Sequence, residues 1–299
     1  MAKNEMNSNT INNGLINLDN AIRGIVSANP GDYAFIVVLN DGEAAAIKET
    51  LEAAGIEVHV VRRGWGTNIS HVADDLAAIQ AAGKTPVLVE VAGAETVPGA
   101  VVIDHHGDMS DRPAALLQVL HLLGEEPSRR QQLIAANDSG YYPAMEALGA
   151  TAEEMSAIRA LDRSFQLEEE PYGSDNWVTK FTPEVEKEAQ RAINAAEVKN
   201  GVTIIRISHS KTAAVTDPLY ETGKEQRLLI LSENGESNFF GSWELCEELY
   251  RRYGKEGDWN TWKGGETTLP SGAKTGFFGS SVAPLEKVEA FVIGWFAKK

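Results

Sequence analysis

The chain has 299 residues, 43% hydrophobic and 23% charged, with a formal net charge of −16. This is a globular composition with length for two ordinary domains and sizeable cores. The charge argues against long nucleic acid or an anionic membrane as the main partner, though a local basic cleft can still take a short phosphorylated ligand. The single Cys246 excludes an internal disulfide and any zinc site of several thiolates. No stretch approaches the ~20 apolar residues of a membrane span, and Met1 to Asn20 is polar with no apolar signal core. The chain reads as a soluble cytoplasmic protein.

Residues 1–13, rich in Asn, read as a frayed start. Leu15 to Val26 has the apolar spacing of a helix, ended by Pro30-Gly31-Asp32. Ala34 to Leu39 is a continuous apolar run, the signature of a strand buried on both faces. Ala44 to Ala54 predicts a helix closed by Gly55, and Val58 to Val61 a strand whose His59 is structural. Ser70 to Ala82 is a helix, Pro86 to Val91 a buried strand carrying Glu90, and Val101 to Ile103 another strand. Arg112 to Leu123 is a helix. Thr151 to Arg163 is a helix with a capping residue at Thr151 and Glu154 three places on. This alternation predicts an α/β domain over 14–165, with a mostly parallel sheet and helices on both faces.

Residues 164–182 break the pattern, and Pro183 to Val198 reads as a charged helix, so 166–199 is expected to connect the domains. A smaller α+β domain follows over 200–299. Its strands are Val202 to Ile207, Leu228 to Leu231 and a third around Phe239-Phe240; its helices are Trp243 to Tyr253 and Pro284 to Phe296. Lys263 to Glu266 and Gly276 to Ser281 read as glycine-rich turns.

Chemistry concentrates where apolar runs end. Val101-Val102-Ile103 runs straight into Asp104-His105-His106. Asp41 and Glu43, then Glu90, and then Asp138 are read as further acids each following an apolar strand. Open α/β sheets keep their sites at the carboxyl ends of strands. Carboxylates and imidazole suit manganese, magnesium or a similar divalent ion, and several carboxylates brought together without a cation would repel. The other reading of these acids, as separate turn formers and helix caps, stays open at this level.

Ile103-Asp104-His105-His106 matches the naming motif of the DHH phosphoesterase superfamily, and the chain resembles that family over residues 33–165. Asn40-Asp41-Gly42-Glu43-Ala44 is similar to its first motif, Glu90 stands where its second-motif acid belongs, and Asn137-Asp138-Ser139-Gly140 is similar to its fourth. There are departures: Val37 stands where the family has a metal-binding His, and the acids at 43 and 90 are Glu where the family has Asp.

The resemblance implies a metal-dependent phosphoesterase acting on a small phosphorylated substrate (nucleotide, short oligonucleotide or cyclic dinucleotide) at the inter-domain cleft. It implies Mn2+, or Mg2+, held by Asp41, Glu43, Glu90, His105 and Asp138, with His106 and Asp104 in catalysis. The family's small domain grips substrate phosphate with a glycine-rich turn ending in His. Here Gly264-Gly265-Glu266, with no His near it, or the Gly276 to Ser281 stretch would serve; Arg206, His209 and Lys211, at the end of the Val202 strand, read either as further phosphate contacts or as a solvated loop. The departures keep open a catalytically degenerate protein that binds a phosphorylated ligand as a regulator, and an enzyme of the same fold with different chemistry. A homodimer is also open.

Overall fold

A computed structural model describes residues 23–64, 66–169, 176–220, 227–255, 260–269 and 271–297. Residues 1–13, most of the expected Leu15 to Val26 helix, and 170–173 of the acidic connection lie outside the described residues. The chain is mixed α/β. It divides into two compact units: Met1–Ser139 with Leu148–Thr179, and Gly140–Ala147 with Lys180–Lys299.

In the first unit, a short helix α1 (Ile25–Ala28) precedes β1 (Tyr33–Val38), α2 (Gly42–Ala53), β2 (Glu57–Val61), α3 (Ala73–Ala81), β3 (Thr85–Val89), β4 (Val101–Ile103) and α4 (Ala115–Leu123). The four strands are all parallel, in the order β2-β1-β3-β4. Side chains alternate between faces along a strand. Ala34, Ile36 and Val38 of β1 pack with Leu76 and Ile79 of α3, while Phe35 and Val37, on the other face, are equally buried. Burial on both faces is why β1 carries no polar alternation. His59 in β2 has the expected structural role: its two ring nitrogens lie 2.9 Å from Asp75 and 3.0 Å from Glu57.

Next come α5 (Arg129–Ala147) and α6 (Ala152–Phe165), the latter opened by the expected capping box of Thr151 and Glu154. The helix α5 is interrupted: Tyr141 has φ +60°, and the two units divide immediately before it, at Ser139/Gly140. Two short strands, β5 (Leu167–Glu169) and β6 (Trp177–Thr179), form an antiparallel pair within the stretch expected to be a linker.

The second unit holds α7 (Pro183–Asn194), β7 (Glu197–Lys199), β8 (Val202–Ile207), α8 (Ala213–Tyr220), β9 (Leu228–Ser232), β10 (Ser237–Ser242), α9 (Trp243–Tyr253), β11 (Thr261–Thr268), β12 (Lys274–Ser280) and α10 (Leu285–Phe296). Its sheet runs β11-β12-β10-β9-β8-β7, antiparallel except for β8 with β9. Val202, Ile204, Leu229 and Leu231 face α9 and α10, whereas Ile205, Ile207, Leu228 and Ile230 face α7 and α8. The expected connecting helix therefore belongs to this core, through the buried Ala189 and the half-buried Val185 and Ile193.

The glycine-rich stretches expected to be turns are strands. Gly264 lies opposite Phe277 and Gly279 opposite Trp262 across β11 and β12. A Cβ at Gly279 would stand 2.2 Å from the Trp262 ring, one at Gly276 2.5 Å from Trp243, and ones at Gly264 and Gly265 2.8 and 2.9 Å from Phe277. These glycines make room for aromatic rings laid across the sheet. The expectation of turns at Gly264, Gly265, Gly276 and Gly279 is corrected accordingly. Gly279→Ala should cost about 1–3 kcal/mol, the usual penalty of overpacking a tight site, and a drop in the urea midpoint at unchanged slope would register it.

Candidate metal centre

The order β2-β1-β3-β4 reverses direction between β1 and β3, and the loops leaving those two strands part there. Such a switch point opens a crevice at the carboxyl edge of a parallel sheet. Asp41 and Glu43 leave β1, Glu90 leaves β3, and Asp104 to His106 leave β4, all at this edge. Asp138 arrives differently. The sequence reading sets Asn137 to Gly140 after a strand, whereas Asp138 stands on the helix α5.

Glu43, Glu90, His105 and Asp138 each offer one ligand atom, and the four atoms lie within 4.8 Å of one another. His105 Nε2 is 2.7 Å from Asp138 Oδ2, 3.1 Å from Glu90 Oε1 and 4.0 Å from Glu43 Oε2. All four atoms are buried, and none has a hydrogen-bond partner of acceptable geometry. They crowd one point without satisfying one another, a costly arrangement for buried polar atoms unless something else completes it. Three hard carboxylate oxygens with one imidazole nitrogen fit a divalent ion.

Asp41 is not among those four. Its Oδ1 accepts the Ala44 N–H at 2.8 Å and caps α2, while its Oδ2 is buried without a partner. Burial, then the charges of Asp138 and Glu90, hold its carboxyl well above the usual range. Asp41 thus belongs to the same electrostatic pocket, primarily as a helix cap. Val37, where the resemblance leads one to expect a histidine, is fully buried in β1.

The two histidines divide the work. Their rings lie 4.4 Å apart, tilted by 45°. His105 enters the cluster; His106 is exposed, and its Nδ1 is 2.9 Å from Asp104 Oδ1, which also accepts the His106 backbone N–H. That Asp104 contact, against the opposing pull of burial, raises the His106 pKa. Burial disfavours charge on His105 too, but the close carboxylates of Asp138 and Glu90, with Glu43 beyond, outweigh it and drive its pKa up to about 12. Glu43 is pushed well above its usual value by burial and by Asp138 and Glu90. Asp138 is the reverse: burial is overcome by His105, and its pKa is lowered.

The surrounding backbone fixes these groups. Glu43 lies in the first turn of α2, and its Oε1 accepts the Leu116 N–H of α4 at 2.9 Å, leaving Oε2 for the cluster. Glu90 has φ +53°, a left-handed conformation that costs a side-chain-bearing residue about 1–3 kcal/mol and recurs at functional sites. Its N–H is held by Ile103 O at 2.8 Å. A chain of buried bonds joins the loop of Asp41 and Glu43 to the helix of Asp138: Gly42 N–H donates to Asp162 Oδ1 at 3.1 Å, while Arg159 Nη1 donates to Asp162 Oδ2 at 2.8 Å and to Asn137 Oδ1 at 3.1 Å. A Cβ at Gly42 would meet Asp162 Cα at 2.9 Å, so only glycine lets α6 approach this loop so closely. The sequence reading misses Asp162 and Arg159. Their one signal is a pair of opposite charges three apart on the apolar side of a helix.

The candidate substrate residues of the smaller domain are not gathered in this way. Arg206 is committed to Glu289 at 2.8 and 2.9 Å. His209 Nδ1 accepts the Lys211 N–H at 3.2 Å, its Nε2 is buried without a partner, and burial lowers its pKa. Among the described residues no helix is long and apolar enough to cross a membrane. Comparison with known proteins finds no matching family model, curated protein or solved structure.

Without a metal, the proton on His105 offsets part of the carboxylate charge. A divalent ion has to displace it, so binding should release a proton and strengthen as pH rises through the neutral range. Titration calorimetry with Mn2+ in two buffers of different ionisation enthalpy measures this directly. Equal heats in both buffers would remove His105 from the ligand set.

Proposed function

We propose that the chain is a divalent-metal-dependent phosphoesterase of the DHH kind, acting on a small phosphorylated substrate. The observation that carries this is the convergence of four buried ligand atoms, from Glu43, Glu90, His105 and Asp138, that make no hydrogen bond. The Asp104-His105-His106 motif places the exposed His106 beside them. Mn2+ or Mg2+ is the ion class that this oxygen-rich set favours.

A bound ion supplies Lewis-acid polarisation of a phosphoryl oxygen and acidifies a water at neutral pH. The protein's part is to hold and orient. Asp104 keeps the proton on His106 Nδ1 and so sets the ring's orientation. Asp104 raises the His106 pKa and so favours the doubly protonated ring, whose Nε2–H would be donated to a phosphoryl or leaving-group oxygen. The fixed Glu43 and Glu90 arms set where the phosphorus would sit.

A second reading, a protein that kept the site and lost hydrolysis, is favoured by Val37, which offers no ligand where the resemblance expects one. Activity separates the two. With Mn2+, the wild type should cleave bis(p-nitrophenyl) phosphate or the dinucleotide pApA, and His105→Ala should lose at least ~100-fold in kcat/KM together with bound metal. Glu90→Asp is the sharper variant. Aspartate tolerates the left-handed backbone, so the melting temperature should hold. The carboxylate retreats by about an ångström, and the rate should fall by up to ~100-fold. Metal bound at His105 with no cleavage of either compound would favour the regulatory reading.

A further inference from the structure

A pocket of about 640 Å3 opens in the same unit as the metal cluster. Arg62 and Arg63 line it, directly after β2, together with Lys48 of α2 and Trp177 of β6. Leu39 and the partly exposed Val60 give it an apolar wall. Its lining is linked to the candidate centre along the chain. Leu39 N–H donates to Val61 O at 2.8 Å, and two residues beyond Leu39 comes Asp41; Lys48 follows Glu43 on one helix. In the sheet, β2 is the neighbour of β1, so Arg62 and Arg63 leave the strand next to the one that Asp41 and Glu43 leave.

Its charge is out of keeping with the chain. At a net charge of −16, most arginines are taken up by carboxylates: Arg129 with Glu154, Arg130 with Glu49, Arg206 with Glu289 and Arg251 with Glu248. Arg62 and Arg63 are both exposed, and neither has an ion pair or hydrogen bond among the described residues. Lys48 is paired with Glu52, and Glu169 also lines the pocket. Two adjacent unpaired guanidinium groups are suited to a phosphate, and a half-buried indole beside them to a flat ring. Pockets of this volume match small ligands.

We propose that this pocket binds one nucleoside monophosphate unit, with its phosphate on Arg62 and Arg63 and its base stacked on Trp177. In the phosphoesterase reading, on which this role rests, the pocket holds one nucleotide of the substrate while the bond is cut at the metal centre.

The test uses the full chain, first stripped of metal with EDTA so that the carboxylate cluster cannot contribute. Adenosine 5′-monophosphate, ribose 5-phosphate and inorganic phosphate are titrated calorimetrically. The monophosphate should bind at least ~10-fold more tightly than ribose 5-phosphate, reflecting the stacked base. The Arg62→Ala/Arg63→Ala double variant should weaken both ligands by at least ~10-fold. Trp177→Leu should weaken only the nucleotide, and Trp177→Phe should restore it, which guards against a folding defect. With Mn2+, the arginine double variant should raise KM for pApA while leaving bis(p-nitrophenyl) phosphate cleavage unchanged. Equal nucleotide binding by wild type and the double variant overturns the proposal even if the enzyme is active. Nucleotide binding that depends on Arg62, Arg63 and Trp177 in a protein that hydrolyses nothing supports the pocket and sinks the phosphoesterase reading instead.

Discussion

Three carboxylates and one imidazole crowded at a buried point hold together only if positive charge sits among them. At 4 Å and an effective dielectric constant near 20, each pair of like charges repels by roughly 4 kcal/mol. Glu43, Glu90 and Asp138 lie close to that range of one another. His105 answers part of this by keeping its proton, and Glu43 answers part by holding its carboxyl well above the usual range. Both responses are what a polyanionic pocket does when it must neutralise itself with protons. A divalent cation does the same with two charges at one place and leaves the carboxylates free to coordinate.

Such a cluster would relax if its walls were soft, and the walls are built against relaxation. Glu43 is held from one oxygen by the amide at the start of α4, so its other oxygen has no freedom to swing away. Glu90 is held in a left-handed backbone by the Ile103 carbonyl. The Gly42, Asp162, Arg159 and Asn137 chain ties the first loop to the helix of Asp138, with buried charges paired inside it. This shell also gives a reason for glutamate at position 43. An aspartate is one methylene shorter and would have to give up either the α4 amide or the cluster.

The strands that frame the site are legible in the sequence because burial on both faces leaves nothing polar between Ala34 and Val38 or between Val87 and Val89. His105, Glu90 and Glu43 are legible for the same reason: each interrupts an apolar run at its carboxyl end or in the turn beyond. Three things are not. Asp138 sits in a turn-like Asn-Asp-Ser-Gly sequence that tertiary packing nevertheless holds in α5. Gly279 and Trp262 explain each other only across a strand pair 17 positions apart in sequence, so glycine alone reads as a turn. Pro183 to Asn194 looks like a solvated connector because its buried stripe is narrow, yet that stripe packs on β8.

The acidity of the chain sets a problem for any phosphorylated ligand, which approaches through a repulsive field before it meets a local attraction. Charges farther away than a Debye length, about 8 Å at physiological salt, are largely screened, so what matters is the sign of charge within the last few ångströms. Along the carboxyl edge of the first sheet, that sign changes between β2 and β1. The ends of β1, β3 and β4 are negative and become attractive to phosphate only when a cation is held there. The end of β2 is positive through Arg62 and Arg63 without any cation. A ligand with a single phosphate can satisfy one of these places. Under the proposed function, a ligand with a phosphodiester and a further phosphate is the one that meets both, which makes selectivity a matter of length as well as charge.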